Sequence, residues 1–272
     1  MTRVRLLGTG TADGWPNPFC DCGSCRAAAV EPRAQSATLV DDALLIDCGP
    51  EAPRSAVRQQ VSLRPVRWML FTHAHPDHLG PAALLWRHWT GTDAPLEVLG
   101  PPAVLAACEH WIGPRDPVRL RVLHAGERVR CGPYLVEALE ATHDPSSGPP
   151  LLYAVTVARR RLLYATDTGP LPEPTLDALG DRRLDLVLLE CTGHTEGGHH
   201  DLDTVADTLA ALRARGAVDA RSTVVAIHAG HHNPAPDELR RRLGELGAQL
   251  GDDGQVIELD DAGGDRISGS TA

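Results

Sequence analysis

The densest chemistry in this chain lies in Thr72-His73-Ala74-His75-Pro76-Asp77-His78, an H-x-H-x-D-H run. Three imidazoles and a carboxylate crowded into one turn would suffer desolvation and mutual repulsion, and a bound cation is the natural compensation. A second cluster, Cys20-Asp21-Cys22-Gly23-Ser24-Cys25, has C-x-C-x-x-C spacing, dense enough for three thiolates to face one point. A structural Zn²⁺ there needs a fourth ligand to close its tetrahedron, and His231, three residues past His228, is the candidate. A reactive or redox cysteine cluster is the alternative.

Side chains of this kind must be held by rigid elements. The histidine run follows an apolar stretch, 66–71, with strand character, and precedes a helical pattern over 81–89. Apolar, β-branched stretches predict further strands at 4–7, 37–40, 43–46, 96–99, 119–123, 134–139, 151–157, 161–165, 186–189 and 223–227. Helical periodicity falls at 103–111, 202–215 and 236–250, with Leu202, Val205, Ala206, Leu209 and Leu212 marking one face of the second. Strands come in groups and helices singly, which suits an α/β class fold: an αββα sandwich of two packed sheets with helices outside. No linker or composition shift divides the sequence, so a single domain over 1–272 is expected, with a Gly/Ser-rich tail fraying from about 262.

The chain has 272 residues, 42% hydrophobic and 23% charged, with net charge −10. That balance argues against a general nucleic-acid-binding surface. All basic residues are arginines, which excludes lysine Schiff-base chemistry. No apolar run reaches the ~18 residues that span a bilayer, no signal-peptide pattern opens the chain, and a cytoplasmic enzyme without membrane contact is expected. Seven cysteines, three of them clustered, point to metal and not to disulfides; Cys48, Cys108, Cys131 and Cys191 read as small buried hydrophobes. The loop Gly8-Thr9-Gly10-Thr11-Ala12-Asp13-Gly14 lacks the spacing and lysine of a phosphate-cradling P-loop.

The H-x-H-x-D-H run resembles the signature of the metallo-β-lactamase superfamily. His143, Asp167 and His228, each just past an apolar run, occur in the order that completes its pattern. The resemblance implies that His73, His75 and His143 bind one metal, that Asp77, His78 and His228 bind a second, and that Asp167 bridges them. It implies two divalent ions, Zn or Mn, with a bridging hydroxide suited to in-line attack on a phosphate or carbonyl. The superfamily's di-iron oxidoreductases have H-x-E-x-D, whereas position 75 is His, so hydrolysis is expected. Asp47, in the D-x-G position, is expected to brace ligands.

C-x-C-x-x-C after a G-T-G loop, with H-x-x-H at the last strand, is similar to the PhnP-type phosphodiesterases of the carbon–phosphorus lyase pathway. Leu99-Gly100-Pro101-Pro102, Leu163-Tyr164-Ala165-Thr166-Asp167-Thr168 and His199-His200-Asp201-Leu202-Asp203-Thr204-Val205 extend the likeness. It implies a structural zinc, a small cyclic phosphodiester as substrate, a homodimer, and His199 near the scissile phosphate as proton donor, with Asp77 orienting the nucleophile. This chain has His200 and Asp203 where that family usually has H-C-D-L-N, and residues 190–198 form a shorter segment. Asp201 also suits an N-cap. His88, His110, His124 and His232 are expected to face solvent or sit satisfied in the core, and Trp86 and Trp89 to pack in the core. The alternatives are a tRNA 3′-processing-type nuclease, a PqqB-like cofactor-biosynthesis protein, and a non-catalytic binding protein stabilised by metal. The first would carry a Gly/Pro-rich arm and a basic surface, and the sequence has neither.

Overall fold

The computed structural model describes residues 1–260 and the strand Arg266–Ser268. The chain first lays down β1 (Thr2–Gly8), β2 (Ala37–Val40), β3 (Leu44–Ile46), β4 (Trp68–Leu70), β5 (Leu96–Gly100) and β6 (Val118–Val122), neighbours in that order. It then builds a second sheet from β7 (Arg128–Cys131), β8 (Tyr134–Glu140), β9 (Leu151–Val157), β10 (Arg160–Ala165), β11 (Leu186–Glu190), β12 (Thr223–Ile227) and β13 (Gln249–Leu250). Finally β14 (Val256–Leu259) and β15 (Arg266–Ser268) return to the first sheet beyond β1. The connecting helices are α1 (Gly23–Ala28), α2 (Ala52–Arg58), α3 (Ala82–Trp89), α4 (Pro102–Glu109), α5 (Glu173–Leu179), α6 (Leu202–Ala214) and α7 (Pro236–Glu245).

Strands with apolar residues on both faces need cover on both. Alternate residues of β10 separate accordingly: Leu162 and Tyr164 enter the core between the sheets, and Leu163 and Ala165 enter an outer core. The inner core joins Val4, Leu6 and Ile46 of the first sheet to Tyr153, Leu188 and Ile227 of the second. One outer core packs α5, α6 and α7 on the second sheet through Leu176, Leu209 and Leu239. The other packs α2, α3 and α4 on the first through Ala56, Leu84 and Leu105. The expected αββα sandwich is therefore the observed one. Asp201 does cap α6, in a reciprocal box with Thr204.

Several expectations change. The helix expected over 236–250 ends at Glu245, because Gly247 takes a left-handed turn (φ 71°) and Gln249–Leu250 pair in parallel with β12. Short α1, α2 and α5, and strands β7 and β14, carry too few residues for a readable period. Trp86 and Trp89, expected in the core, are 38% and 69% exposed, because α3 buries only Leu84. The tail expected to fray from about 262 lies largely outside the described residues. No helix among the described residues is long and apolar enough to cross a membrane.

Candidate metal centre

Strands β10, β11 and β12 are parallel, and β8 points the same way because both it and β10 run antiparallel to β9. Their C-terminal ends therefore share one edge of the second sheet. From that edge project His143 after β8, Asp167 after β10, Glu190 ending β11 and His228 after β12. The H-x-H-x-D-H loop arrives from the first sheet, after β4, and Asp47 after the parallel β3. Asp47, Asp167 and His228 all have left-handed backbones, with φ of 57°, 53° and 53°. Such conformations are costly for residues other than glycine and cluster at functional sites. Gly49 is required by contact: a Cβ there would lie 1.7 Å from the Asp77 carbonyl oxygen.

The predicted ligands converge in two groups that share Asp167, and Asp167 also stands within the same 4.8 Å reach of Glu190 and His199 in a third. In the first, His73 Nε2 lies 2.8 Å from His75 Nδ1 and 3.2 Å from Asp167 Oδ2, and His143 Nε2 is 3.1 Å from His75 Nδ1. In the second, His78 Nε2 is 2.8 Å from Asp77 Oδ2 and 3.2 Å from Asp167 Oδ2, while His228 Nε2 is 2.8 Å from Asp167 Oδ1. Within each group all the ligand-type atoms lie inside 4.8 Å of one another. Asp77 Oδ2 and His78 Nε2 are buried without a hydrogen bond despite their proximity. Orphaned polar atoms of this kind are expensive, and a divalent cation satisfies both. The donor set fits two such ions.

The surrounding residues fix which ring nitrogen is free. His78 Nδ1 meets Asp47 Oδ2 at 2.8 Å, His73 Nδ1 meets Thr72 Oγ1 at 3.0 Å, and His228 Nδ1 meets Ser36 Oγ at 3.2 Å. Each leaves Nε2 for a metal, the usual outer-shell arrangement. Asp47 also accepts from the Thr72 backbone N–H at 2.8 Å and the Tyr164 hydroxyl at 3.2 Å, so it braces the loop as expected. Burial holds His143 down at about 4, so it stays neutral, with one ring lone pair available, at neutral pH. Burial works against ionising Asp77, but the adjacent His78 prevails and holds that carboxyl at about 2.

A cleft of about 400 Å³ opens over both groups, lined also by Thr11, Asp13, Asp144, Thr192, His194 and His199. The His199 ring lies 4.7 Å from that of His143 and 6.0 Å from that of His228. His200, its neighbour, is fully buried and turns to Thr208, 3.4 Å away. His199 Nδ1 faces Glu190 Oε2 at 2.9 Å, which leaves Nε2 as the free ring nitrogen of a residue lining the cleft. Burial disfavours the imidazolium of His199, but the Glu190 carboxylate outweighs it and raises the pKa. Glu190 gave no sequence signal, being the last residue of an apolar strand. His232 is exposed to solvent, as expected, and lies on the rim of this cleft, its ring 4.6 Å from that of His194.

Cys20, Cys22, Cys25 and His231 form a separate group, again with ligand atoms inside 4.8 Å. The Cys25 backbone N–H donates to Cys22 Sγ at 3.3 Å and, with His231, lowers that thiol to about 6. Burial pushes Cys25 up to about 11. Four donors at one point suit a closed tetrahedral zinc site. The other four cysteines are buried free thiols, as expected.

A family model described as the beta-lactamase superfamily domain matches residues 43–229. A ribonuclease Z from Mycobacterium avium (strain 104) is 32% identical over 130 residues, 42% of this chain. That match spans 41% of the relative's own length. A diphosphatase from the PhnP family superposes with TM-score 0.76 and 22% identity, covering 96% of this chain and 98% of that one. Zn²⁺-bound PqqB from Methylobacterium extorquens follows with TM-score 0.73 and 18% identity over 94% and 100%. At these identities the two structures speak for the fold. With the family model covering most of the sequence, the chain belongs to the beta-lactamase superfamily.

Proposed function

We propose that this chain is a dinuclear metal-dependent phosphodiesterase acting on a small cyclic phosphodiester. The observation that carries this is the placement of His199, fixed by Glu190 beside two ligand groups that share Asp167. His73, His75 and His143 would hold one ion, Asp77, His78 and His228 the other, and Asp167 both. Two divalent ions there supply positive charge for the phosphoryl oxygens and activate a water. His199, as the imidazolium that Glu190 favours, would give its Nε2 proton to the leaving oxygen and keep its Nδ1–H on Glu190. Asp77, a member of the second group that also lines the cleft, would orient the attacking water. Cys20, Cys22, Cys25 and His231 would hold a structural zinc.

An RNA phosphodiester is the second candidate substrate, favoured by the ribonuclease Z relative and opposed by the net charge of −10. The test is metal analysis of the purified protein, followed by turnover of bis(p-nitrophenyl) phosphate, 2′,3′-cyclic nucleotides and a tRNA precursor. Turnover of the small esters alone is expected. Cleavage of the precursor alone would transfer the function to RNA, and turnover of none would leave a metal-stabilised binding protein.

A further inference from the structure

Beside the cleft over the two ligand groups lies a second hollow of about 370 Å³, and among the described residues His143 alone lines both. The two differ in chemistry. The cleft is walled by imidazoles and carboxylates, while the hollow is walled chiefly by Leu123, Pro145, Pro149, Pro150 and Leu151. The partition between them is the loop 143–150. His143 and Asp144 on this loop face the cleft, and its three prolines face the hollow. Proline fixes its own φ, and Asp144 caps the turn Pro145–Ser147 by accepting the Ser146 N–H at 2.9 Å. The hollow is therefore preformed, which lowers the ordering cost of binding.

His143 supplies a second, polar observation. Its Nε2 turns to the metal group, yet its Nδ1 is buried with no hydrogen-bond partner, and its side chain is only 3% exposed. The corresponding nitrogens of His73, His78 and His228 each have a partner. A ligating imidazole normally donates its second N–H, and of these four only His143, on the wall between cleft and hollow, leaves that nitrogen unpartnered. Among the described residues no arginine lines the hollow, whose polar edge is His124 and Glu140, and Glu140 repels anions. Apolar walls also penalise any charge left unpaired.

We infer that this hollow is the subsite for the organic group of the substrate, and that the group is an uncharged ring of nucleobase or aryl type. The phosphate then sits at the metal groups with the ring across the His143 partition. This inference rests on the phosphodiesterase proposal and names its substrate class.

The experiment is calorimetric titration of the metal-loaded protein with phenylphosphonate and with methylphosphonate, which offer the metals the same anion with and without a ring. Phenylphosphonate is expected to bind at least about tenfold more tightly, the order of gain for burying a small apolar ring. Ala125, exposed on the turn before β7, lines the hollow, and Ala125→Trp should fill it. That variant should lose the ring preference to within about threefold while methylphosphonate affinity holds. Pro149→Trp, from another segment of the wall, is the second variant, and metal content and melting temperature are checked for both. Equal affinities in the unaltered protein, or a ring preference that survives both substitutions, would overturn the subsite. Turnover of bis(p-nitrophenyl) phosphate is recorded in parallel. Ring preference without turnover would sink the phosphodiesterase proposal alone, and turnover without ring preference the subsite alone.

Discussion

His199 Nδ1 lies 2.9 Å from Oε2 of Glu190, a fully buried carboxylate whose other oxygen accepts the Thr168 backbone N–H at 2.6 Å. The carboxylate is thus anchored to the strand-end loop that carries Asp167, and the imidazole is anchored to the carboxylate. A proton donor aimed in this way should matter to turnover and little to metal binding. His199→Ala should keep full metal content and melting temperature while losing roughly 10²–10⁴-fold in kcat. The loss should shrink for a nitrophenolate leaving group and persist for an alkoxide. His200→Ala, from a buried position facing Thr208, should cost stability and leave kcat at equal metal occupancy intact. Kinetics of both variants on both ester types check this, and unchanged rates for His199→Ala would remove the proton-donor role.

Glu190→Gln tests the positioning of that histidine. The carboxylate raises the His199 pKa, so its loss lowers the pH at which the imidazole gives up its proton. The descending limb of the kcat profile, where the acid form is lost, should move to lower pH. The rate at the optimum should fall by about 10–100-fold. A pH–rate profile superimposable on that of the unaltered protein would mean that Glu190 only supports the loops at Thr168 and Thr192.

Metal stoichiometry separates the two kinds of site. Three ions per chain are expected, one of them a zinc that survives mild chelation, because a closed site releases metal only with local unfolding. Cys22, with its lowered pKa, should be the first thiol alkylated once that zinc is stripped, and Cys25 the last. Mass spectrometry of the alkylated protein reads the order. Two ions per chain with all three cysteines reactive in the native protein would eliminate the structural site.

The consequences of removing a ligand should differ accordingly. Cys22→Ser opens the tetrahedral site and should lower the melting temperature while the surviving folded protein turns over substrate. Asp167→Ala removes the carboxylate shared by both groups and should abolish turnover, with a smaller effect on melting. The reverse pattern in paired melting and activity measurements would exchange the roles given to the two sites.

Asp253 gives a pH dependence away from the metals. Burial raises its carboxyl from the ordinary 3.8 to about 6, against hydrogen bonds from the Ala34 N–H and the Thr9 hydroxyl. Between those values the native chain holds a proton that the unfolded chain has released. The associated stability, roughly 2–3 kcal/mol, is fully present below about pH 4 and is lost as pH rises through 6. Asp253→Asn cannot titrate there, so the melting temperature of the unaltered protein should decline relative to this variant from pH 4 to pH 7. Parallel melting curves across that range would refute the assignment.

The elements that position the site were legible because long, doubly buried strands announce themselves. Strand 151–157 was expected and is observed as Leu151–Val157, buried apart from Thr156. His143, Asp167 and His228 were visible as polar residues closing such runs. Glu190 closes one too, but a lone acid after Leu186–Leu189 is equally the ordinary end of a strand, and its partner nine residues on shares no period with it. His231 and its exposed neighbour His232 hold their rings 4.5 Å apart, yet only the first joins the cysteines and only the second lines the cleft, a division that adjacent identical residues do not announce. The exposed Trp86 and Trp89 mislead because an eight-residue helix can bury one leucine and leave large rings outside. In 236–250 the apolar spacing continues through Leu250, and the left-handed Gly247 outweighs it.

The ligand groups draw on both layers: His73, His75, Asp77 and His78 follow a strand of the first sheet, while His143, Asp167 and His228 follow strands of the second. Two ions held there would act mechanically as a clasp across the seam of the sandwich, at the edge where the apolar filling between the sheets runs out. Chelation should let that edge breathe. Amide hydrogen exchange should quicken at the last residues of β4, β10 and β12, and hold steady in α6 and α7, whose contacts lie on the outer face. On this view the same ions that serve the chemistry also keep the two layers in register where the cleft opens.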